Sequence, residues 1–490
     1  MGASEQESRE FAAAFRSFLR WVESSGRAGA VNEVVALVRG HLGADRVSHS
    51  VVSRSLLPFE QVNLQVALDA WSGLGGRTVR VQGVTSPPHY PGLTLQQLLT
   101  GDGLPPVRLS APELVDLPSG PGRTLACIQT ALLLVEDSLG QYLIMVRGPE
   151  RHEEPALAVE VAGLEVTQAQ AVHAELGRLR SELNVYRGQV LELTAQRSGE
   201  IALLFADVPA TTREDVVLSE EVLRRIERHT VDIAHHRGEL LSAGQHLKRG
   251  VLLFGPPGTG KTHTTRYVIG RMNGCTVLLL SGRSLHLIGA LAEMARELQP
   301  TVVVLEDVDL VAEDRGFGPG SSPVLFELLD TMDGAAADAD LLFLLTTNRA
   351  DLLEPALAAR PGRVDVAVEI AMPDADARRR LFSLYGTGVP LTLSEDDIAE
   401  VVDRTEGTTA SFLKELLRRA VLEALTESTP LRSVTATHVS NALDDLLDST
   451  QQITRALLGV ADAGSDGVAA FGGRAAGGHG GMPAPAAYFP

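Results

Sequence analysis

Lysine, cysteine and aromatic residues are all scarce in this 490-residue sequence. Only Lys248, Lys261 and Lys414 are lysine among 43 basic residues. The two cysteines, Cys127 and Cys275, lie far apart and lack metal-ligand spacing, so the sequence indicates neither a disulfide framework nor a cysteine zinc site. Aromatic residues make up 4% of the chain, which leaves aliphatic side chains to build the cores.

Positive charge is also in deficit, because the formal net charge is −19. Such a surface repels phosphate backbones, and nucleic acid is therefore an unlikely partner. No apolar run approaches the roughly 18 residues that a membrane-spanning helix needs. The first residues, MGASEQESREF, lack the basic and apolar parts of a signal peptide. We expect a cytoplasmic protein with no membrane span.

The length predicts two or three domains. Two helical patterns followed by turn-rich sequence predict an N-terminal helical or irregular region over 1–125. The hairpin pattern ALLLVED–SLG–QYLIMVRG then predicts a small α/β domain over 126–206. Alternating apolar strands and helices predict an α/β subdomain with a parallel sheet over 207–372. Four helical patterns predict a small lid over 373–449. Glycine, alanine and proline dominate the tail, 450–490, which we expect to be disordered.

One segment carries the sequence pattern of a phosphate-binding loop. The apolar strand VLLF is followed by GPPGTGKTH, in which Gly255, Pro256, Pro257, Gly258, Thr259, Gly260, Lys261 and Thr262 match G-x-x-x-x-G-K-[ST] and lead, through His263, into a helix. All nine residues are candidates for binding the nucleotide. Glycines allow backbone N–H groups to turn toward phosphate oxygens, and a helix N-terminus adds its dipole. Lys261 then supplies a charge to the β- and γ-phosphates, and Thr262 a hydroxyl to Mg²⁺. The sequence thus predicts an ATP and Mg²⁺ site.

Three further polar signals follow in order along the chain. The strand VVVL ends at Glu306 and Asp307, two carboxylates that can hold Mg²⁺ and activate the attacking water. A second apolar strand, LLFLLTT, ends at Asn348, an amide that can orient the water or contact the γ-phosphate. Arg360 and Arg363 flank a Pro-Gly turn. They either pair with nearby acids or act as arginine fingers on the nucleotide of a neighbouring subunit, and the second function requires an oligomer.

Together, the segments from KRGVLLFGPPGTGKT to TTNRADLLEPALAARPGRVD and the helical lid resemble the AAA family of ring ATPases, over about residues 216–448. The resemblance implies a P-loop NTPase core, ATP and Mg²⁺ as cofactors, and a homohexamer with Arg360 and Arg363 acting in trans. It also implies that Gly407–Ser411, a partial match, takes the place of the turn that opens the last lid helix near the adenine.

Two departures from the usual family pattern point to one branch. The order Glu306–Asp307 reverses the common Asp–Glu order, and Leu287–Ile288–Gly289 stands where an aromatic pore loop is usual. In both features the sequence resembles members of the branch that contains the mitochondrial Rieske-protein translocase. By position, Glu306 takes the metal role and Asp307 the water-activating role.

The favoured function is therefore an ATP-hydrolysing chaperone or remodelling machine whose N-terminal region selects a protein substrate. Two alternatives stay open: a slowly hydrolysing, ATP-gated assembly scaffold, and a regulatory ATPase that feeds a protease. The chain ends Tyr488–Phe489–Pro490, and a docking role for these residues belongs to the second alternative.

Overall fold

The computed structural model describes residues 33–86, 93–101, 107–149, 157–195, 201–281, 287–312, 339–351 and 364–448, with the isolated positions 17 and 284. Arg360, Arg363 and the predicted disordered tail lie outside these residues. The chain divides into two compact units, one comprising residues up to 256 with 260–371, and the other comprising 257–259 with the residues from 372 onward.

The first unit begins with an antiparallel sheet that has helices on both faces. Its elements in chain order are α1 (Glu33–Arg46), β1 (Val52–Leu56), a 3₁₀ turn (Pro58–Glu60), α2 (Gln61–Ser72), β2 (Thr78–Thr85), α3 (Leu95–Thr100), β3 (Arg108–Ser110), β4 (Glu113–Gly120), β5 (Arg123–Asp137), β6 (Gly140–Arg147), β7 (Leu157–Ala162) and α4 (Val166–Glu182).

The strand order of this sheet is β1-β7-β6-β5-β2-β3, and β4 pairs with β5. Apolar side chains of α2 and α4 fill a core on one face, and those of α1 and α3 fill a core on the other. The predicted hairpin is confirmed as β5 and β6, which pair from Thr130↔Arg147 to Asp137↔Gly140.

The expected division of this half differs from the structure. Strands β1 to β4 come from the range 1–125, for which we expected a separate helical or irregular region, yet they pair in the same sheet as β5 to β7. The strands had been obscured because much of their surface is polar and several are short. The first sheet is therefore one structure built from both predicted regions.

A second sheet follows in the same unit. Its elements are β8 (Val190–Ala195), β9 (Ile201–Phe205), α5 (Glu220–Glu227), which continues through a π turn (Arg228–Asp232) and Ile233–His235, α6 (Arg237–Ser242), β10 (Arg249–Phe254), α7 (Lys261–Arg271), β11 (Thr276–Ser281), α8 (Ile288–Glu297), β12 (Thr301–Glu306), α9 (Asp309–Ala312), β13 (Leu341–Thr347) and β14 (Val366–Glu369).

The strand order is β14-β10-β13-β12-β11-β8-β9. The five strands from β14 to β11 are parallel, as expected for a P-loop core. Strand β8 adds to β11 in parallel, with Val190↔Val277 in register, and β9 pairs antiparallel with β8. The expected boundary at 206 thus falls after two strands that already belong to the second sheet. Their apolar side chains complete its core.

The segment between the two sheets is held on both sides. The Tyr186 ring is buried in the core of the second sheet, and its hydroxyl donates to the Phe59 carbonyl at 2.6 Å. The Arg187 guanidinium donates to the carbonyls of Gln299 and Glu297 at 3.0 and 3.2 Å. The first sheet is therefore anchored to the C-terminal end of α8.

The second unit contains α10 (Ala375–Tyr385), β15 (Leu391–Thr392), α11 (Glu395–Arg404), α12 (Ala410–Glu427), β16 (Val434–Thr435) and α13 (Ala436–Leu447). The four helices match the four predicted patterns. Their apolar faces meet around Phe382, Phe412 and Leu416. Within the described residues, no helix combines the length and apolar character needed to cross a bilayer.

Candidate functional site

The phosphate loop leaves the buried strand β10 and leads directly into helix α7, which begins at Lys261. Gly255 has φ +147°, and a Cβ there would lie 2.3 Å from the Ile370 carbonyl oxygen. Gly260, the residue before the helix, has φ +108°. Residues other than glycine rarely adopt such backbone conformations, so the path of the backbone requires glycine at these two positions.

Lys261 is the one lysine of the chain that the structure buries, with 6% of the residue exposed. Its ammonium donates to the Gly255 and Pro256 carbonyls at 2.8 and 2.9 Å. Burial lowers the pKa of the Lys261 ammonium, while the carboxylates of Asp307 and Asp309 act in the opposite direction. The cation therefore lies in the field of the acidic residues that follow β12.

Glu306 lies at the carboxyl end of β12, with its carboxylate near enough to the Thr262 hydroxyl for that group to act on its pKa. Burial raises the pKa of Glu306, the Thr262 hydroxyl lowers it, and the neighbouring Asp307 charge raises it. Arg266 on α7 is close enough to lower it as well. The structure thus brings together the two predicted Mg²⁺ ligands from the helix and the strand.

Asp307 adopts φ +53°, the single positive φ at a non-glycine position among the described residues. Aspartate and asparagine tolerate this left-handed conformation better than longer side chains do. The Asp307 amide donates to Thr346 Oγ1 at 3.1 Å, and its carboxylate Oδ1 lies 3.4 Å from Asn348 Nδ2. The turn therefore directs Asp307 away from the strand and toward Asn348.

Asp309 is a site residue to which sequence reasoning gave no role. It is 6% exposed, and its Oδ1 accepts from Thr347 Oγ1 at 2.9 Å and from the Asn348 amide at 3.1 Å. It thereby fixes the end of β13, where Asn348 stands. The available signal was its place in the run EDVD, three residues after Glu306.

Two further contacts involve predicted site residues outside the carboxylate cluster. The His263 ring nitrogen Nε2 lies 3.1 Å from the Asp215 carbonyl oxygen. In the second unit, which includes Gly258, the Ser411 amide and hydroxyl donate to the Gly258 carbonyl at 3.2 and 3.3 Å. Ser411, at the end of the turn Gly407–Ser411, therefore contacts Gly258, and the place of that turn near the adenine stays a prediction.

The expected pore-loop position differs in the structure. Ile288 begins α8 and is 1% exposed, and Leu287 packs against the same core beneath the second sheet. Their aliphatic side chains face inward because α8 covers the sheet with its apolar side. Ile288 is therefore a core residue, and Leu287 is partly buried against the same core rather than fully exposed for gripping a substrate.

Comparison with known proteins places this site in a family. Residues 251–372 match the model of the ATPase family associated with various cellular activities (AAA). The chain carries an AAA ATPase domain. The match begins at β10, so it includes neither the first sheet nor strands β8 and β9.

Curated relatives match about half of the chain. It is 31% identical to the ATP-dependent zinc metalloprotease FtsH of Cutibacterium acnes over 263 residues, which cover 51% of this chain and 36% of that protein. It is 32% identical to FtsH of Thermus thermophilus, with coverage of 50% and 41%, and 29% identical to the Cell division cycle protein 48 homolog of Archaeoglobus fulgidus, with coverage of 55% and 37%. The chain thus spans about two fifths of the length of these relatives.

Among solved structures, the crystal structure of the FIGL-1 AAA domain is 24% identical, with a TM-score of 0.41, and the match covers 49% of this chain and 86% of that one. The likeness to the Rieske-translocase branch stays a prediction from the Glu306–Asp307 order and the pore segment.

Proposed function

We propose that this protein binds ATP with Mg²⁺, hydrolyses it at the carboxyl edge of the second sheet, and uses the energy to remodel a protein. The observation that carries the proposal is the meeting of Lys261, the Thr262–Glu306 pair and the Asp307–Asn348 pair at one end of three neighbouring strands and one helix. Glycines with positive φ precede that helix, as a phosphate-binding backbone requires.

The donor set around Thr262 fits magnesium. A hydroxyl and carboxylate oxygens are the hard ligands that Mg²⁺ prefers, and the Thr262 hydroxyl lies near enough to the Glu306 carboxylate to act on its pKa. We assign Thr262 and Glu306 to the metal, with Asp307 at the edge of its water shell. Bound Mg²⁺ would neutralise charge on the β- and γ-phosphates.

Asp307 is the general base in this proposal. Its carboxylate is exposed, lies beyond the strand end, and is 3.4 Å from the Asn348 amide. A base must reach the proton that it abstracts, directly or through one water. Asn348 donates toward the same carboxylate, so both side chains border the place where the attacking water would be bound. Asp309 keeps Asn348 in position.

The remaining parts of the proposal rest on the family. Arg360 and Arg363 would complete the site of a neighbouring subunit in a homohexamer. The relatives named FtsH and Cell division cycle protein 48 homolog support work on proteins, and the first sheet, anchored through Tyr186 and Arg187, is the part proposed to select the substrate. Because Leu287 and Ile288 pack in the core, we favour remodelling over threading by an exposed loop at this position.

Steady-state ATP turnover tests the proposal. Lys261→Ala should abolish nucleotide binding and turnover, because it removes the buried ammonium of the phosphate loop. Lys414→Ala, which changes an exposed lysine on the lid, is the matched control and should behave as wild type. Turnover below about one per hour in wild type, with ATP-dependent assembly intact, would favour the scaffold alternative; equal turnover in wild type and Lys261→Ala would contradict the site itself.

A further inference from the structure

A polar cavity lies in the first unit, and none of the carboxylate-cluster residues lines it. Its volume is about 460 Å³, and its charged lining residues are Arg213, Glu220, Arg224, Glu227, Arg228, Asp232 and Arg271. We call it the arginine pocket. It lies between α5 with its π turn and the C-terminal end of α7, on a protein whose net charge is −19.

The arginines of this pocket differ in their partners. Arg213 pairs with both Glu220 and Glu227, at 2.8 and 3.2 Å, and Arg224 pairs with Glu220 at 2.9 Å. The guanidinium groups of Arg228 and Arg271, both exposed, make no ion pair or hydrogen bond with any residue that the structure describes. Two guanidinium groups therefore face the cavity without a paired carboxylate, beside Asp232 in the same lining.

The complementary surface lies on the lid helix α11. Of residues 395–406, six are acidic and only Arg404 is basic. Asp396, Glu400 and Asp403 are exposed and stand at i, i+4 and i+7, which places them on one side of the helix. We call them the acidic stripe. Within the described residues, the side chains of Asp396 and Asp403 have no ion-pair or hydrogen-bond partner.

We propose that the arginine pocket of one copy of this chain receives the acidic stripe of a second copy. The proposal rests on the proposed ring assembly and names a contact that would hold it. Carboxylates on a helix suit the pocket because bidentate pairing with guanidinium groups is specific for planar anions. Because Glu220, Glu227 and Asp232 line the same cavity, the attraction would be carried by Arg228 and Arg271.

The contact would join two different surfaces, one on each copy. A heterologous contact of this kind repeats from copy to copy and closes into a ring when its rotation allows. Exposed ion pairs are screened by salt, with a Debye length of about 8 Å at physiological ionic strength. We therefore expect assembly to weaken as NaCl concentration rises.

Charge reversal on each surface, followed by mixing, tests the proposal. The pocket variant is Arg228→Glu with Arg271→Glu, and the stripe variant is Asp396→Arg with Asp403→Arg. Glu423→Arg, an exposed acidic position on α12, is the matched control. Oligomer mass of the full chain with ATP is measured by mass photometry, and folding by circular dichroism.

Each variant alone should shift the concentration for half-assembly upward by at least about tenfold, since like charges facing each other across an interface oppose binding. An equimolar mixture of the two variants should assemble again. In an alternating ring, every reversed pocket meets a reversed stripe and every native pocket a native stripe.

Normal assembly of either folded variant alone would overturn the proposal. A second result would also overturn it: the mixture of the two variants fails to assemble, but a single chain that carries both changes assembles normally. That result would place the contact within one copy. Nucleotide binding to each variant, followed with a fluorescent ATP analogue, separates the two proposals. If wild type does not bind the nucleotide, the proposed function is wrong. If the variants bind the nucleotide and assemble as wild type does, only the proposed contact is wrong.

Discussion

Replacing Asp309 with alanine should damage both the stability of the ATPase sheet and the placement of Asn348. One carboxylate oxygen, Oδ1, accepts from the buried Thr347 hydroxyl and from the Asn348 amide. A donor left without its acceptor in a buried site costs about 1–3 kcal/mol. Because the Asn348 amide is only partly buried, we expect a total cost of about 2–4 kcal/mol.

Asp309→Asn is the matched control, because its amide oxygen can still accept both bonds. We expect it to cost less than about 1.5 kcal/mol, the usual worth of one neutral hydrogen bond. For an α/β unit of this size, the alanine change corresponds to a fall of about 4–16 °C in the midpoint of thermal unfolding. Differential scanning fluorimetry measures that fall.

Hydrogen exchange gives the local readout for the same pair of variants. The peptide that covers β13 and Asn348 should lose protection in Asp309→Ala and keep it in Asp309→Asn. ATP turnover should fall by about tenfold or more in the alanine variant, because a displaced Asn348 would misplace one catalytic contact. ATP affinity should stay nearly unchanged. Equal effects of the two changes, or unchanged exchange at β13 in the alanine variant, would refute this reasoning.

Three further substitutions test other parts of the structure. Gly255→Ala should reduce ATP affinity at least about tenfold in a titration, because its Cβ would lie 2.3 Å from the Ile370 carbonyl; unchanged affinity would contradict the required backbone path. Ile288→Ala should destabilise the fold by about 2–5 kcal/mol as a core cavity does, seen by thermal unfolding; a stable variant with selectively lost substrate processing would restore the pore-loop interpretation. Tyr186→Phe should cost about 1 kcal/mol and increase hydrogen exchange near Phe59; no change there would show that the hydroxyl contact does not anchor the first sheet.

The sequence predicted best what is encoded locally. The phosphate loop could be identified because eight consecutive residues carry the whole pattern, and the polar ends of β12 and β13 could be identified because apolar strands stop abruptly at Glu306 and Asn348. The contact between Gly258 and Ser411 could not be predicted from local sequence, since 153 residues separate the two positions.

Long-range pairing could not be read from the sequence. Strands β8 and β9 have apolar patterns that would suit either sheet, and only the register with β11 assigns them to the second. Leu287 and Ile288 are aliphatic at a position where either a pore loop or a covering helix needs apolar residues, so their burial was decided by tertiary packing. The role of Asp309 depends on a partner 38 residues away.

The division of labour between Glu306 and Asp307 is the central claim, and nucleotide trapping tests it most directly. Asp307→Asn keeps a residue that tolerates the left-handed backbone and should bind ATP with affinity within about threefold of wild type, while turnover falls by about 10²–10⁴-fold, the usual contribution of a general base. Glu306→Gln should weaken Mg²⁺-dependent binding instead. If Glu306→Gln traps ATP at full affinity while Asp307→Asn still hydrolyses it, the two roles are reversed and the account is contradicted.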